Sequence, residues 1–152
     1  MIRRAVFEDI PRMAEINVYG WRNTYRGIIS DEELFINRRV DKSIEKYKTK
    51  INDENRQCFV YQDENDGIIK AMFCLASSMD EDKLEAFELV FIYVEKAFDR
   101  MGIGKIIIEY FESEGKIRNK CELIVWVLEK IMIGRSFYEK MGYIADGKMK
   151  YE

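Results

Sequence analysis

The chain has 152 residues, enough for one domain spanning 1–152, and its 47% hydrophobic and 35% charged residues are those of an ordered globular protein. Its 25 basic and 28 acidic residues leave a formal net charge of −3, which argues against non-specific nucleic-acid binding as its main role. Histidine is absent, so Ser-His-Asp and Cys-His catalysis, histidine-ligated metal and imidazole proton shuttling are excluded.

In chain order, Ile2 to Val6 reads as a first strand. Asp9 offers an N-cap and Pro11 fits a first helical turn, so a helix is expected from about Ile10 to about Thr24. Gly27 closes that region. Ser30 and Glu33 read as a capping box before a short helix, and a Lys/Glu-rich helix covers Asp41 to Ile51. The period then changes. Gln57 to Gln62 and Ile68 to Ser77 are strands joined by the turn Glu64-Asn65-Asp66-Gly67. A polar loop, Ser78 to Lys83, precedes the strand Phe87 to Val94. Beyond Gly102-Ile103-Gly104, the residues Ile103, Ile106, Ile107, Tyr110 and Phe111 mark one apolar helix face. Cys121 to Leu128 is an apolar run suited to a strand buried on both faces. Ile133, Phe137 and Met141 mark a last helix that Gly142 ends, and Tyr143 to Tyr151 leaves room for a final strand or hairpin. Strand, helix, strand from Phe87 to Leu128 requires a right-handed crossover, so part of the sheet is expected to be parallel.

Cys58, Cys74 and Cys121 lie in apolar runs without a CxxC pair, which points to buried small hydrophobes rather than a disulfide framework. The N-terminal MIRRAVFEDIPRM lacks the apolar stretch of a signal peptide. The longest apolar run, Leu123 to Leu128, is too short to span a membrane. A cytoplasmic setting is the expectation.

The loop EKAFDRMGIGK stands between a strand and an amphipathic helix. Free N–H groups and the helix dipole favour an anion at such a helix start, and glycine lets the backbone come close. The loop is neither a P-loop nor a dinucleotide fingerprint. Only one residue separates the glycines, Ile106 stands where a P-loop needs Ser or Thr, and Ile107 fills the third glycine position. By itself the loop reads equally well as a tight strand-to-helix turn.

The strand ELVFIYV, the GxG loop opening a helix, a buried strand, and FYEKMGY (Phe137 to Tyr143) stand in the order seen in the GNAT superfamily of N-acetyltransferases, which this sequence resembles. IRRAVFEDIPRMAEI resembles that family's opening strand and helix, and GWRNTYRGIISDEEL resembles a subgroup's following segment. The resemblance implies an α/β (α+β) fold. Its mixed central sheet of about six to seven strands is flanked by helices on both faces, the GNAT-like acyl-CoA N-acyltransferase fold.

It implies acetyl-CoA as cosubstrate and no metal. Arg100, Met101, Gly102, Ile103, Gly104 and Lys105 would bind the pyrophosphate, and the backbone of Ile92, Tyr93 and Val94 would pair with the pantetheine arm. Tyr138 matches the tyrosine that protonates the departing thiolate, and Glu88 a frequent strand carboxylate that acts as general base. Trp21, Tyr25 and Arg26 fall where the acceptor pocket is usually built. Asp99, Ile131 and Gly134 depart from the family pattern, which has Gln or Arg, Asn and Ala at those places.

The implied reaction is acetyl transfer to a primary amine of a small molecule: a polyamine, an amino acid or an antibiotic-like compound. An acyl-CoA-binding module with little catalysis and a protein N-terminal or lysine acetyltransferase remain as alternatives. No nucleic-acid or membrane partner is implied, and a homodimer stays open.

Overall fold

The computed structural model describes residues 1–77, 86–125 and 132–145, with the side chains of 132–135 left aside. Its elements are β1 (Ile2–Arg4), a 3₁₀ turn (Phe7–Asp9), α1 (Ile10–Tyr25), a π turn (Glu33–Asn37), α2 (Val40–Lys50), β2 (Arg56–Gln62), β3 (Ile69–Ser77), β4 (Ala86–Val94), a 3₁₀ turn (Lys96–Phe98), α3 (Ile103–Ile117), β5 (Glu122–Val125) and α4 (Met132–Lys140). The sheet runs β1-β2-β3-β4-β5, antiparallel as far as β4. β5 then pairs with β4 in parallel, as the α3 crossover demands.

Five strands stand among the described residues, against an expectation of about six to seven. Most of the expected final strand, Tyr143 to Tyr151, lies outside them, as do the polar loop Ser78 to Lys83, the end of the Cys121 to Leu128 run and Ile131. No helix among the described residues is long and apolar enough to cross a membrane.

The sheet buries both faces because its strands alternate. Cys58, Val60, Met72 and Cys74 face α1 and α2, against Ile10, Met13, Ile16 and Tyr47. Phe59, Phe73, Leu75, Phe87 and Leu89 face α3, against Ile107, Ile108 and Phe111. Each such fully buried side chain contributes about 1.5–3 kcal/mol.

Three local expectations are corrected. Asp9 does not cap α1. Its carboxylate accepts two hydrogen bonds from Arg3 at 2.8 and 2.9 Å and one from the Val6 N–H at 2.8 Å, tying β1 to the chain that follows it. Ser30 does accept the Glu33 N–H at 3.2 Å, but the segment winds as a π turn and the Glu33 carboxylate takes Asn37 instead. On α3 the buried stripe is Ile103, Ile107, Ile108 and Phe111, while Ile106 is 42% exposed. Ile103, Ile107 and Phe111 of the expected face are buried and Tyr110 packs beside them, but the helix is rolled enough that Ile108, not Ile106, meets the sheet.

One irregularity shapes everything downstream. Cys74 lies opposite Phe91, and Leu75 lies opposite Leu89, so Val90 is an extra residue in β4. Such a bulge bends its strand. Phe87 and Leu89 face α3 before it, and Ile92 and Val94 face α3 after it. Val90, Phe91 and Tyr93 pack toward α1 and α2.

Candidate active site

α3 opens without a side-chain cap. Its first helical bond runs from the Ile106 N–H to the Gly102 carbonyl at 3.2 Å, so the N–H groups of Ile103, Gly104 and Lys105 lie in the turn that a helix leaves unmatched. Gly102 has φ +80° and no heavy atom within 4 Å of where a Cβ would stand. Arg100 also has positive φ, 59°. Two left-handed residues so close together curl the backbone into a concavity suited to an anion. Arg100, Met101 and Lys105 are exposed, whereas the Ile103 side chain is buried, so only its backbone is available. Gly104 serves packing: a Cβ there would stand 3.3 Å from the Phe137 ring of α4. Asp99 is exposed, and its N–H donates to the Lys96 carbonyl at 3.2 Å.

The bulge sets up the strand that leads to this loop. β5 pairs with β4 from Ala86 to Leu89. Among the described residues, Phe91 to Val94 are paired on the β3 side alone. The Glu95 N–H donates to the Lys70 carbonyl of the β3 side at 3.0 Å. Backbone groups alternate along a strand, so the N–H groups of Ile92 and Val94 point away from β3, and that of Tyr93 points toward it.

Glu88 sits before the bulge, opposite Ala76 on β3 and Ile124 on β5, and is 6% exposed. Lying between Phe87 and Leu89, it faces α1 and α2. Tyr138 comes from α4, its ring 5.3 Å from Phe137 and 6.0 Å from Tyr143. Burial, and after it the nearby Tyr25 phenol, push its pKa up to about 12. Burial likewise pushes Tyr93 up to about 12, again with Tyr25 close by. Tyr25, at the end of α1, thus acts on both Tyr93 of β4 and Tyr138 of α4, which pack in the two different cores.

The three acceptor-side residues separate. The Trp21 indole N–H donates to the Tyr93 hydroxyl at 2.6 Å, its ring lies 4.4 Å from Tyr25, and the Arg38 guanidinium sits 3.7 Å over it. Trp21 therefore supports Tyr93 with its polar atom already engaged. Tyr25 stays with the phenols. Arg26 turns elsewhere. It is exposed, lies 5.6 Å from the Phe35 ring and 3.6 Å from Asp31, and helps line a cleft of about 540 Å³ with Tyr19, Arg22, Glu95 and Lys96.

Sequence reasoning missed two participants. Gly20 lets Tyr93 in: a Cβ there would meet the ring at 3.1 Å. The signal was a glycine in the middle of a helix pattern, which costs about 1 kcal/mol against Ala. Arg38 carried no signal, since its partner lies on another element.

A bulged strand thus leads through a glycine loop to an uncapped helix start. The family model described as "Acetyltransferase (GNAT) domain" matches residues 54–145. The chain belongs to the GNAT acetyltransferase family, and acetyl transfer from acetyl-CoA is its class of reaction.

Solved structures share the fold. The PaiA N-acetyltransferase of Thermoplasma acidophilum, in complex with coenzyme A, is 23% identical with a TM-score of 0.83, covering 98% of this chain and 92% of that one. The ribosomal-protein-alanine N-acetyltransferase of Brucella melitensis biovar Abortus 2308 is 16% identical with a TM-score of 0.73, covering 100% and 96%. AAC(6')-Iy, in complex with the bisubstrate analog CoA-S-monomethyl-acetylneamine, is 12% identical with a TM-score of 0.74, covering 100% and 95%.

Proposed function

We propose that the protein moves the acetyl group of acetyl-CoA to a primary amine of a small molecule, by direct attack within a ternary complex. The observation that carries this reading is buried Tyr138, packed in the same core as Ile92 and Val94 of the bulged half of β4, with buried Glu88 on that strand. A polyamine, an amino acid or an antibiotic-like amine is the acceptor class, and the cytoplasm is the setting.

In this reading the backbone of Arg100 to Lys105 receives the pyrophosphate, with the Arg100 and Lys105 side chains adding charge. The outward N–H groups of Ile92 and Val94 hold the pantetheine arm as an added strand would, and the Tyr93 side chain keeps that stretch in place. Acetyl-CoA supplies an acyl group already activated as a thioester. Glu88 takes the proton that an alkyl ammonium, with a pKa near ~10.4, must lose before it attacks, directly or through water.

Tyr138 keeps its proton at neutral pH, because burial holds its pKa at about 12. A thiol loses its proton near ~8.5, so full transfer from this phenol to the thiolate is uphill. Tyr138 therefore acts by donating a hydrogen bond to the sulfur as charge builds there, an interaction strongest in the transition state. Tyr25 contacts the acceptor, Trp21 acts through Tyr93, and Arg26 lies at the entrance. Backbone donors, one carboxylate and one phenol suffice, and no step needs histidine.

The bisubstrate analog bound by AAC(6')-Iy supports both the ternary complex and a small amine acceptor. The ribosomal-protein-alanine relative supports a second reading, in which a protein N-terminus is the acceptor. Thiol release from acetyl-CoA, followed across polyamines, amino acids, aminoglycosides and N-terminal peptides, tests the two. Acceptor-dependent release with a small amine is the expected outcome, and release with peptides alone favours the second reading. Calorimetric binding of acetyl-CoA without release from any acceptor leaves a binding module and overturns both.

A further inference from the structure

Two of the three cysteines stand together where the catalytic reading does not use them. Cys58 on β2 and Cys74 on β3 are directly opposite in an antiparallel pair, and both face the core beneath α1 and α2. Two hydrogen bonds define what kind of pair it is. The Ala5 N–H donates to the Cys58 carbonyl at 2.9 Å, so the backbone polar groups of Cys58 point to β1. The Glu95 to Lys70 bond fixes the β3–β4 ladder so that those of Cys74 point to β4. Cys58 and Cys74 therefore form a non-hydrogen-bonded pair, the kind with Cα atoms about 4.5 Å apart and side chains closest together. That separation lies inside the range a disulfide spans, about 4.4–6.8 Å.

We propose that Cys58 and Cys74 are a cross-strand dithiol that hydrogen peroxide oxidises to a disulfide joining β2 to β3. The environment favours one sulfur as the first to react. The neighbouring Cys74 thiol holds Cys58 below the ordinary thiol range, with Arg4, Arg56 and Lys50 helping, while Cys58 and burial push Cys74 up. Nearby cations are what activate a thiolate. Burial selects the oxidant: Cys58 is 4% exposed and Cys74 2%, so a molecule little larger than water reaches them through local opening, and a bulky disulfide does not.

The Cys58 thiolate attacks one peroxide oxygen. The O–O bond breaks, hydroxide leaves and takes up the proton that Cys58 gave, and Cys58 carries S–OH. The Cys74 sulfur then attacks that sulfur. The S–O bond breaks and the departing hydroxide leaves as water with the Cys74 proton. Two thiols and one peroxide give one disulfide and two waters, with two electrons passing from sulfur to oxygen.

The test uses the whole chain carrying Cys121→Ser, which removes the exposed cysteine. It is treated with a peroxide dose that fully oxidises Cys121 in the parent chain, then denatured, alkylated and weighed. The expected product has lost two hydrogens, resists alkylation at both positions, and regains both thiols with dithiothreitol. With Cys74→Ala added, Cys58 gains oxygen instead. Peptide mapping of the peroxide-treated parent chain gives the same answer without any substitution, as a peptide linking Cys58 to Cys74. Oxygen adducts on single sulfurs, or two thiols that stay alkylatable at that dose, overturn the proposal and leave the pair as inert core side chains.

Discussion

Tyr138 gains from burial the property that its proposed role requires. A phenol at about 12 is fully protonated throughout the neutral range, so it is always ready to donate to sulfur. Tyr138→Phe keeps the ring and its packing against Phe137 and removes only the donor. We expect kcat to fall by about 10²-fold or more, the usual scale for losing a hydrogen-bond donor to the transition state, with the KM for acetyl-CoA changed little. Steady-state kinetics with a responsive amine check this, and an unchanged kcat removes Tyr138 from the reaction. Tyr138 was legible in the sequence because FYEKMGY is a local motif. The service that Trp21 gives Tyr93 was not, since donor and acceptor lie 72 residues apart and no local pattern links them. Arg26 shows the same gap in reverse. It is a sequence neighbour of Tyr25, yet it lines a different cleft, because α1 ends at Tyr25 and the backbone is extended at Arg26.

At the level of elements, α1 and β4 meet at Gly20. The Tyr93 ring is fixed from the other side by the Trp21 indole, so it has little room to retreat. Gly20→Ala therefore sets a helix-propensity gain of about 1 kcal/mol against an overpacking cost of about 1–3 kcal/mol. We expect a net loss of about 1 kcal/mol, read as a lower urea midpoint at unchanged m-value; a higher midpoint means that the ring has space. The strands were readable as short apolar runs bounded by turn residues, and α3 because its apolar residues recur at helical spacing. Three things were not readable. The roll of α3 depends on which isoleucine the sheet receives. The π turn at Glu33 to Asn37 keeps the Ser30 cap yet changes the winding after it. Most of all, the β4 bulge leaves no mark in FELVFIYV, because a continuous apolar run has no alternation for an extra residue to interrupt.

For the molecule as a whole, the absence of histidine and the raised phenols together define the pH response. Tyr93 and Tyr138 hold their protons to about 12 when folded. In the unfolded chain they release them near ~10. Above that value the unfolded state binds fewer protons than the folded one, so stability falls as pH rises. The contribution of these phenols is complete below pH ~10 and is lost as pH climbs toward the folded values. Urea midpoints should accordingly hold steady from about pH 8 to about 10 and drop by about 11. A midpoint unmoved at the highest of these would mean that the phenols are no more buried than in the unfolded chain. Turnover has no imidazole to titrate near neutrality, so any change there comes from Glu88, a thiol or the substrate amine.

Val90 has a consequence for how β4 tolerates a change in length. Losing one residue from a buried strand ordinarily turns every following side chain to the wrong face. Here the order of faces runs Phe87 toward α3, Glu88 away, Leu89 toward, then Val90 and Phe91 both away, and Ile92 toward. Without Val90 the alternation is perfect, and each remaining side chain keeps the face it has now. A one-residue deletion at this point would preserve both cores and straighten only the bend beside the site. The extra residue therefore gives β4 its bend, and the two cores do not depend on it.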